Sequence, residues 1–180
     1  KKLCDALKEA GMYDDSAIFV LSDHGDFAGD YDITEKAQNT FEDCLTRVPL
    51  LVKPPCGEAL DAGISDSLVE LVDFYATAMD YAGVTPDHDH FGRSLRPIIG
   101  DRTKSVRDYV FCEGGRMEWE EQCDEYHSEG PEYDMHSEYW ARMKAQCNPL
   151  AHEKGTMICD GTYKYVERPS GANELYDLQN

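Results

Sequence analysis

No apolar stretch of this 180-residue chain approaches membrane-spanning length, so none of its residues reads as a transmembrane helix. Positive charge is scarce as well: 17 Lys and Arg stand against 36 Asp and Glu, a formal net charge of -19. A surface this acidic repels phosphate backbones and anionic bilayers, which argues against nucleic-acid and membrane partners. The cysteines lack any repeated short spacing, and their number, seven, cannot all pair within one chain. They read as mostly free thiols in a reducing compartment, with a cytoplasmic location as the expectation. Cys123, His127, His136, Cys147 and His152 are likewise not spaced as a structural zinc site.

What the chain does contain is centred on Ala17 to Pro49. Ala17-Ile18-Phe19-Val20-Leu21 is an unbroken apolar run, the pattern of a strand buried on both faces of a parallel sheet. It stops at Ser22-Asp23-His24-Gly25, and ligands collect beyond the carboxyl ends of such strands. Gly25, Gly29, Asp26, Asp30, Asp32 and Glu35 then compose a loop that leads to Lys36, and Arg47 to Val52 reads as the next strand. Upstream, Leu3, Leu7 and Ala10 share one helical face, with Gly11 placed to end the helix. A helix followed at once by a buried strand is half of a βαβ unit, so the chain is expected to be a piece of a larger α/β domain whose amino terminus lies upstream. No signal peptide opens it.

Further along, Leu68, Leu71, Val72, Tyr75, Met79 and Ala82 predict a packing helix over Ser65 to Ala82, with Ser67 and Glu70 forming a capping box. Ser94 to Ile99 reads as a short helical turn and Asp108 to Cys112 as a strand. Nine acidic residues and no lysine or arginine then lie between Glu118 and Glu138, read as a solvated excursion. Met157 to Cys159 and Tyr163 to Val166, separated at Asp160-Gly161, give a hairpin signal and belong with Asp108 to Cys112 in a small antiparallel sheet.

Taken in order, S-D-H-G at 22–25, Lys36, Phe41-Glu42, Arg47 to Val52, Asp66 to Asp73, Gly92 to Gly100, Gly161 to Tyr165 and Glu174 to Leu178 resemble the carboxyl-terminal part of the sulfatases, a branch of the alkaline phosphatase superfamily. The resemblance implies an α/β fold: residues 1–100 as part of an alkaline-phosphatase-like parallel sheet sandwich, and residues 101–180 as a small α+β lobe with an antiparallel sheet and an acidic insertion at 116–152. It implies Asp23 and His24 as metal ligands and Lys36 as the contact to a sulfate or leaving-group oxygen, with His24 also counted as catalytic. Where Tyr31 stands, family members often have histidine.

The implied activity is sulfuric ester hydrolysis by a formylglycine nucleophile and a divalent metal, calcium first, with manganese, magnesium or zinc as alternatives. The implied partner is a small-molecule or carbohydrate sulfate ester, and oligomerisation or association with the rest of the domain is left open. Formylglycine arises within C/S-x-P/A-x-R, and neither Cys4 to Lys8 nor Cys147 to Ala151 supplies the arginine. The nucleophile is therefore expected outside this chain, and the 180-residue piece alone is expected to be inactive. Two alternatives stand beside this reading: a phosphodiesterase or phosphonate monoester hydrolase of the same superfamily, and a noncatalytic structural or binding module.

Overall fold

The apolar runs on either side of the Asp23 loop become strands β1 (Ile18–Leu21) and β2 (Leu50–Lys53). The structure, a computed structural model, describes residues 1–33, 35–37, 39–117 and 149–180. The acidic excursion from Glu118 to Glu138 lies outside the described residues, as do Cys123, His127, His136 and Cys147. The described chain divides into two units, Lys1–His24 with Arg47–Val110, and Gly25–Thr46 with Phe111–Asn180. A division of the sequence at residue 100 leaves Gly25–Thr46 with the other half.

In the first unit β1 and β2 pair antiparallel, Ile18 opposite Lys53 and Leu21 opposite Leu50. The expected parallel pairing is corrected accordingly among the described strands, where β1 and β2 form a two-stranded sheet. An unbroken apolar run reports burial, and nothing in it encodes the direction of its neighbour. Nor is the burial complete, for Val20 and its partner Leu51 are 58% and 59% exposed. Helix α1 (Lys2–Glu9) precedes β1 and ends at Gly11, whose φ of +68° is the left-handed conformation that glycine adopts freely. None of its residues is buried, and of the expected apolar face Leu7 is half-buried while Leu3 and Ala10 are exposed. Lys53 ties the turn after α1 to β2: its ammonium donates to the carbonyl of Ser16 at 3.0 Å and sits 4.5 Å from the centroid of the Tyr13 ring.

The predicted second helix starts later than its apolar stripe suggests. Helix α2 runs Val72–Ala82, and Ser65 to Glu70 is not helical. The Ser67–Glu70 capping box does not form because tertiary partners take both side chains: Ser67 donates to the Lys104 carbonyl and Glu70 accepts from Arg107. Asp73 instead reaches back to the Glu70 N–H at 2.8 Å, which is the acidic half of a box one register further on. Helix α3 (Arg96–Gly100) is short, with its proline at the start as expected. Thr77, fully buried, joins the two helices by donating to the Asp73 carbonyl at 2.6 Å and accepting from the Leu95 N–H at 2.9 Å.

The second unit is built on a four-stranded sheet, β3 (Val110–Gly114), β4 (Gly155–Cys159), β5 (Tyr163–Glu167) and β6 (Glu174–Asp177), in that spatial order. The expected hairpin joins β4 to β5 antiparallel, and the Asp160 carboxylate closes it by accepting from the Thr162 and Tyr163 N–H groups at 2.8 and 2.7 Å. Side chains alternate along β5, with Lys164 and Val166 buried and Tyr163, Tyr165 and Glu167 exposed. Phe27, Phe41 and Leu45, from the segment that follows Asp23, are buried in this same unit. A hydrogen on Gly155 is all that fits beside the Phe41 ring, since a Cβ there would lie 2.7 Å from it.

Candidate active-site segment

Where β1 ends, the chain turns at Ser22, whose hydroxyl donates to the His24 carbonyl at 2.6 Å. That turn sets Asp23 and His24 side by side. The His24 N–H donates to Asp23 Oδ1 at 3.0 Å, and His24 Nε2 lies 3.6 Å from Asp23 Oδ2. The carboxylate is 86% exposed and the imidazole 41%, so both present donor atoms to the surface of the first unit. The structure thus keeps together the two residues that the sequence nominates as metal ligands. Among the described residues no group of three or more His, Cys, Asp or Glu is arranged to hold a metal ion, and this pair is no exception.

The next residue explains the fourth letter of the motif. Gly25 donates its N–H to the Leu45 carbonyl at 2.8 Å, and a Cβ on it would lie 1.8 Å from the Cys44 carbonyl oxygen. Any side chain there would force the loop off its returning strand of chain. Between Gly25 and Thr46 the loop is anchored twice, by Phe27 and by Asn39 with Phe41, all three buried. Asn39 donates from Nδ2 to the carbonyls of Leu150 and Glu153 at 3.0 and 3.2 Å, and its own carbonyl accepts from Arg168 at 2.8 Å. Lys36 is exposed between these anchors, in the second unit, so the chain positions it through the carboxyl-terminal sheet. No local pattern marks Asn39 or Arg168, because what makes them matter is a contact more than a hundred residues away.

Cys44, a neighbour of this loop, is unsuited to nucleophilic duty. Burial pushes its thiol pKa up, and Asp30 and Glu42 push it further the same way. Cys4, Cys44, Cys56 and Cys159 are free thiols.

With this geometry in place, comparison with known proteins decides the lineage. The sequence profile described as Sulfatase matches residues 1–84, a span that contains Asp23, His24 and Lys36.

Over residues 1–84 this chain is similar to the sulfatase family.

An N-acetylglucosamine-6-O-sulfatase of Bacteroides thetaiotaomicron is 33% identical over 109 residues, which is 60% of this chain and 19% of that protein. The chain therefore spans about a fifth of the length of this sulfatase relative. A solved structure of a protein in complex with its substrate D-glucosamine-2-N,6-O-disulfate superimposes with a TM-score of 0.70 at 22% identity, covering 99% of this chain and 31% of that one. The phosphonate monoester hydrolase of Agrobacterium radiobacter superimposes with a TM-score of 0.64 at 24% identity, over 99% and 32% of the respective chains. At these identities the superpositions establish the fold alone: α/β, of the alkaline-phosphatase-like kind.

Proposed function

We propose that this chain is part of a sulfatase that hydrolyses the sulfate ester of a carbohydrate. The observation that carries the proposal is the Asp23–His24 pair, exposed at the carboxyl end of β1 inside the span that matches the sulfatase family. The sugar for which the Bacteroides relative is named and the substrate held by the structural neighbour, both sulfated glucosamines, support the carbohydrate. In this reading Asp23 and His24 hold a divalent cation. One carboxylate and one imidazole, adjacent and exposed, fit two positions of such a shell, while calcium takes six to eight oxygens, so groups outside the described residues complete it. When bound, the cation neutralises charge on the ester oxygens.

Lys36 contributes a mobile positive charge for the bridging oxygen of the ester, where negative charge grows as the bond to sulfur breaks. The nucleophile of this reading, a formylglycine, is not among residues 1–180. The test is sulfate release from N-acetylglucosamine 6-sulfate by the full-length gene product. Asp23→Asn should abolish most turnover, and Lys36→Ala should lower kcat by about 10²–10³ while raising KM much less. Release that both variants leave intact would end the proposal.

A second reading, phosphonate monoester hydrolysis, has the Agrobacterium superposition in its favour. Faster cleavage of a phenylphosphonate monoester than of any sulfate ester would select it.

A further inference from the structure

All three residues other than glycine that have positive φ in the described chain fall between Gly25 and Ile33: Ala28 at +51°, Tyr31 at +55° and Asp32 at +59°, with Gly29 at +109° among them. Left-handed backbone presses Cβ against the neighbouring carbonyl, a conformation that aspartate tolerates and a bulky ring does not. The segment is nevertheless pinned. Phe27 is buried at 2% exposure, and backbone bonds run from Asp30 N–H to the Phe27 carbonyl at 2.8 Å, from Ile33 N–H to Asp30 at 3.0 Å, and from Gly29 N–H to Ile33 at 2.8 Å.

Packing gives little reason for a tyrosine at the strained position. The Tyr31 side chain is 75% exposed, and it meets the Phe27 ring edge to face at 6.0 Å. Glycine or asparagine would fit this backbone with less strain, so what distinguishes a ring here is the surface it offers to solvent. It stands in the loop between the Asp23–His24 pair and Lys36, and it shares the second unit with Lys36. An aromatic ring open to solvent on most of its surface packs against the flat C–H face of a pyranose, which a small flexible sulfate ester lacks.

We infer that Tyr31, an exposed ring fixed on left-handed backbone in the loop leading to Lys36, is a specificity-determining residue that stacks on the pyranose of a sulfated sugar. The inference rests on the sulfatase function proposed above and commits it to sugars whose ring lies against this side chain.

The experiment compares N-acetylglucosamine 6-sulfate with choline sulfate in the full-length gene product, and reads thermal melting alongside. Tyr31→Asn should lower the ratio of kcat/KM for the sugar over that for choline sulfate by about tenfold, chiefly through KM for the sugar. Its melting midpoint should stay level or rise, because asparagine accepts the backbone. Tyr31→Phe should restore the sugar preference, since the ring and not the hydroxyl makes the contact. A ratio that does not move, or a midpoint that falls by more than about 4 °C with both substrates impaired alike, would make Tyr31 a packing residue and overturn the inference. A wild-type protein that cleaves no sulfate ester at all would sink the underlying function instead, and that outcome is told apart by the wild-type assay alone.

Discussion

Each of the two units buries a charged side chain, and they do so in opposite ways. In the first, Arg107 is 6% exposed and is held between Glu70, at 13%, and Asp73, at 0%. The Asp73 carboxylate also accepts the N–H groups of Glu70 and Arg93 at 2.8 and 2.7 Å, so one side chain organises the start of α2, the loop before α3 and the segment that carries Arg107. In the second unit Lys164 is 5% exposed, but its carboxylate partner, Asp43, is 49% exposed. The rest of the lysine's charge falls on the Phe41 carbonyl at 2.7 Å. The sealed pair depends on both members, whereas the half-open one leaves its anion to water. What each arrangement secures differs too: Asp73 fixes a junction of helices, and Lys164 fixes the loop stretch that follows Lys36.

The largest effect should come from breaking the sealed pair. Asp73→Ala leaves the buried Arg107 guanidinium with Glu70 alone and two backbone donors unserved, a change that typically costs about 3–5 kcal/mol. Asp73→Asn, whose amide oxygen can still accept from the backbone, should lose less. Urea unfolding of the two variants checks the order. A cost below about 1 kcal/mol for the alanine variant would mean that Arg107 finds solvent once released, and the contrast between the units would lose its basis.

Asp73 also marks where sequence reading stops. Strands β1, β2, β4 and β5 were legible because an apolar run or an alternating one reports local burial directly. The start of α2 was not, because the apolar stripe continues upstream through Leu68 while Arg107 and Lys104 draw Glu70 and Ser67 out of the helix. Antiparallel pairing of β1 with β2 was equally hidden, as direction is a property of the connection and not of the run. At the site, Asp23 and His24 were legible as adjacent donors, and the structure keeps them so. That Lys36 is positioned by the carboxyl-terminal sheet was not, since its anchors Asn39 and Phe41 acquire their partners more than a hundred residues later. The left-handed backbone at Tyr31 leaves no trace in a residue type that ordinarily avoids it.

A smaller effect should follow in the second unit. Asp43→Ala removes a partner already in water and should cost about 0.2–1 kcal/mol. Lys164→Met should cost more, about 1–3 kcal/mol, because it leaves the Phe41 carbonyl with only the long 3.4 Å bond from the Thr46 hydroxyl. The order sharpens the comparison, since in the first unit loss of the anion is already costly and in the second the cation is the costlier loss. Equal losses for Asp43→Ala and Asp73→Ala, measured under the same conditions, would show that exposure of the carboxylate does not set the cost.

The smallest effect is a pH dependence confined to the second unit. The Tyr176 hydroxyl donates to the Glu174 carboxylate, which also accepts from Arg168 Nε at 2.6 Å. Burial first, then the bond and charge of Glu174, hold the phenol pKa well above its ordinary value of 10.0. A raised folded-state pKa means that the folded form keeps its proton where the unfolded form has lost it. The stabilisation is therefore complete below pH 10.0 and is lost as the pH climbs above that value, with a slope of at most about 1.4 kcal/mol per pH unit. Tyr176→Phe should flatten the decline of stability between about pH 10 and pH 11 relative to the parent, as read from urea midpoints at each pH. Parallel declines in the two proteins would place the alkaline sensitivity elsewhere and would remove Tyr176 from the account of what holds β6 in the sheet.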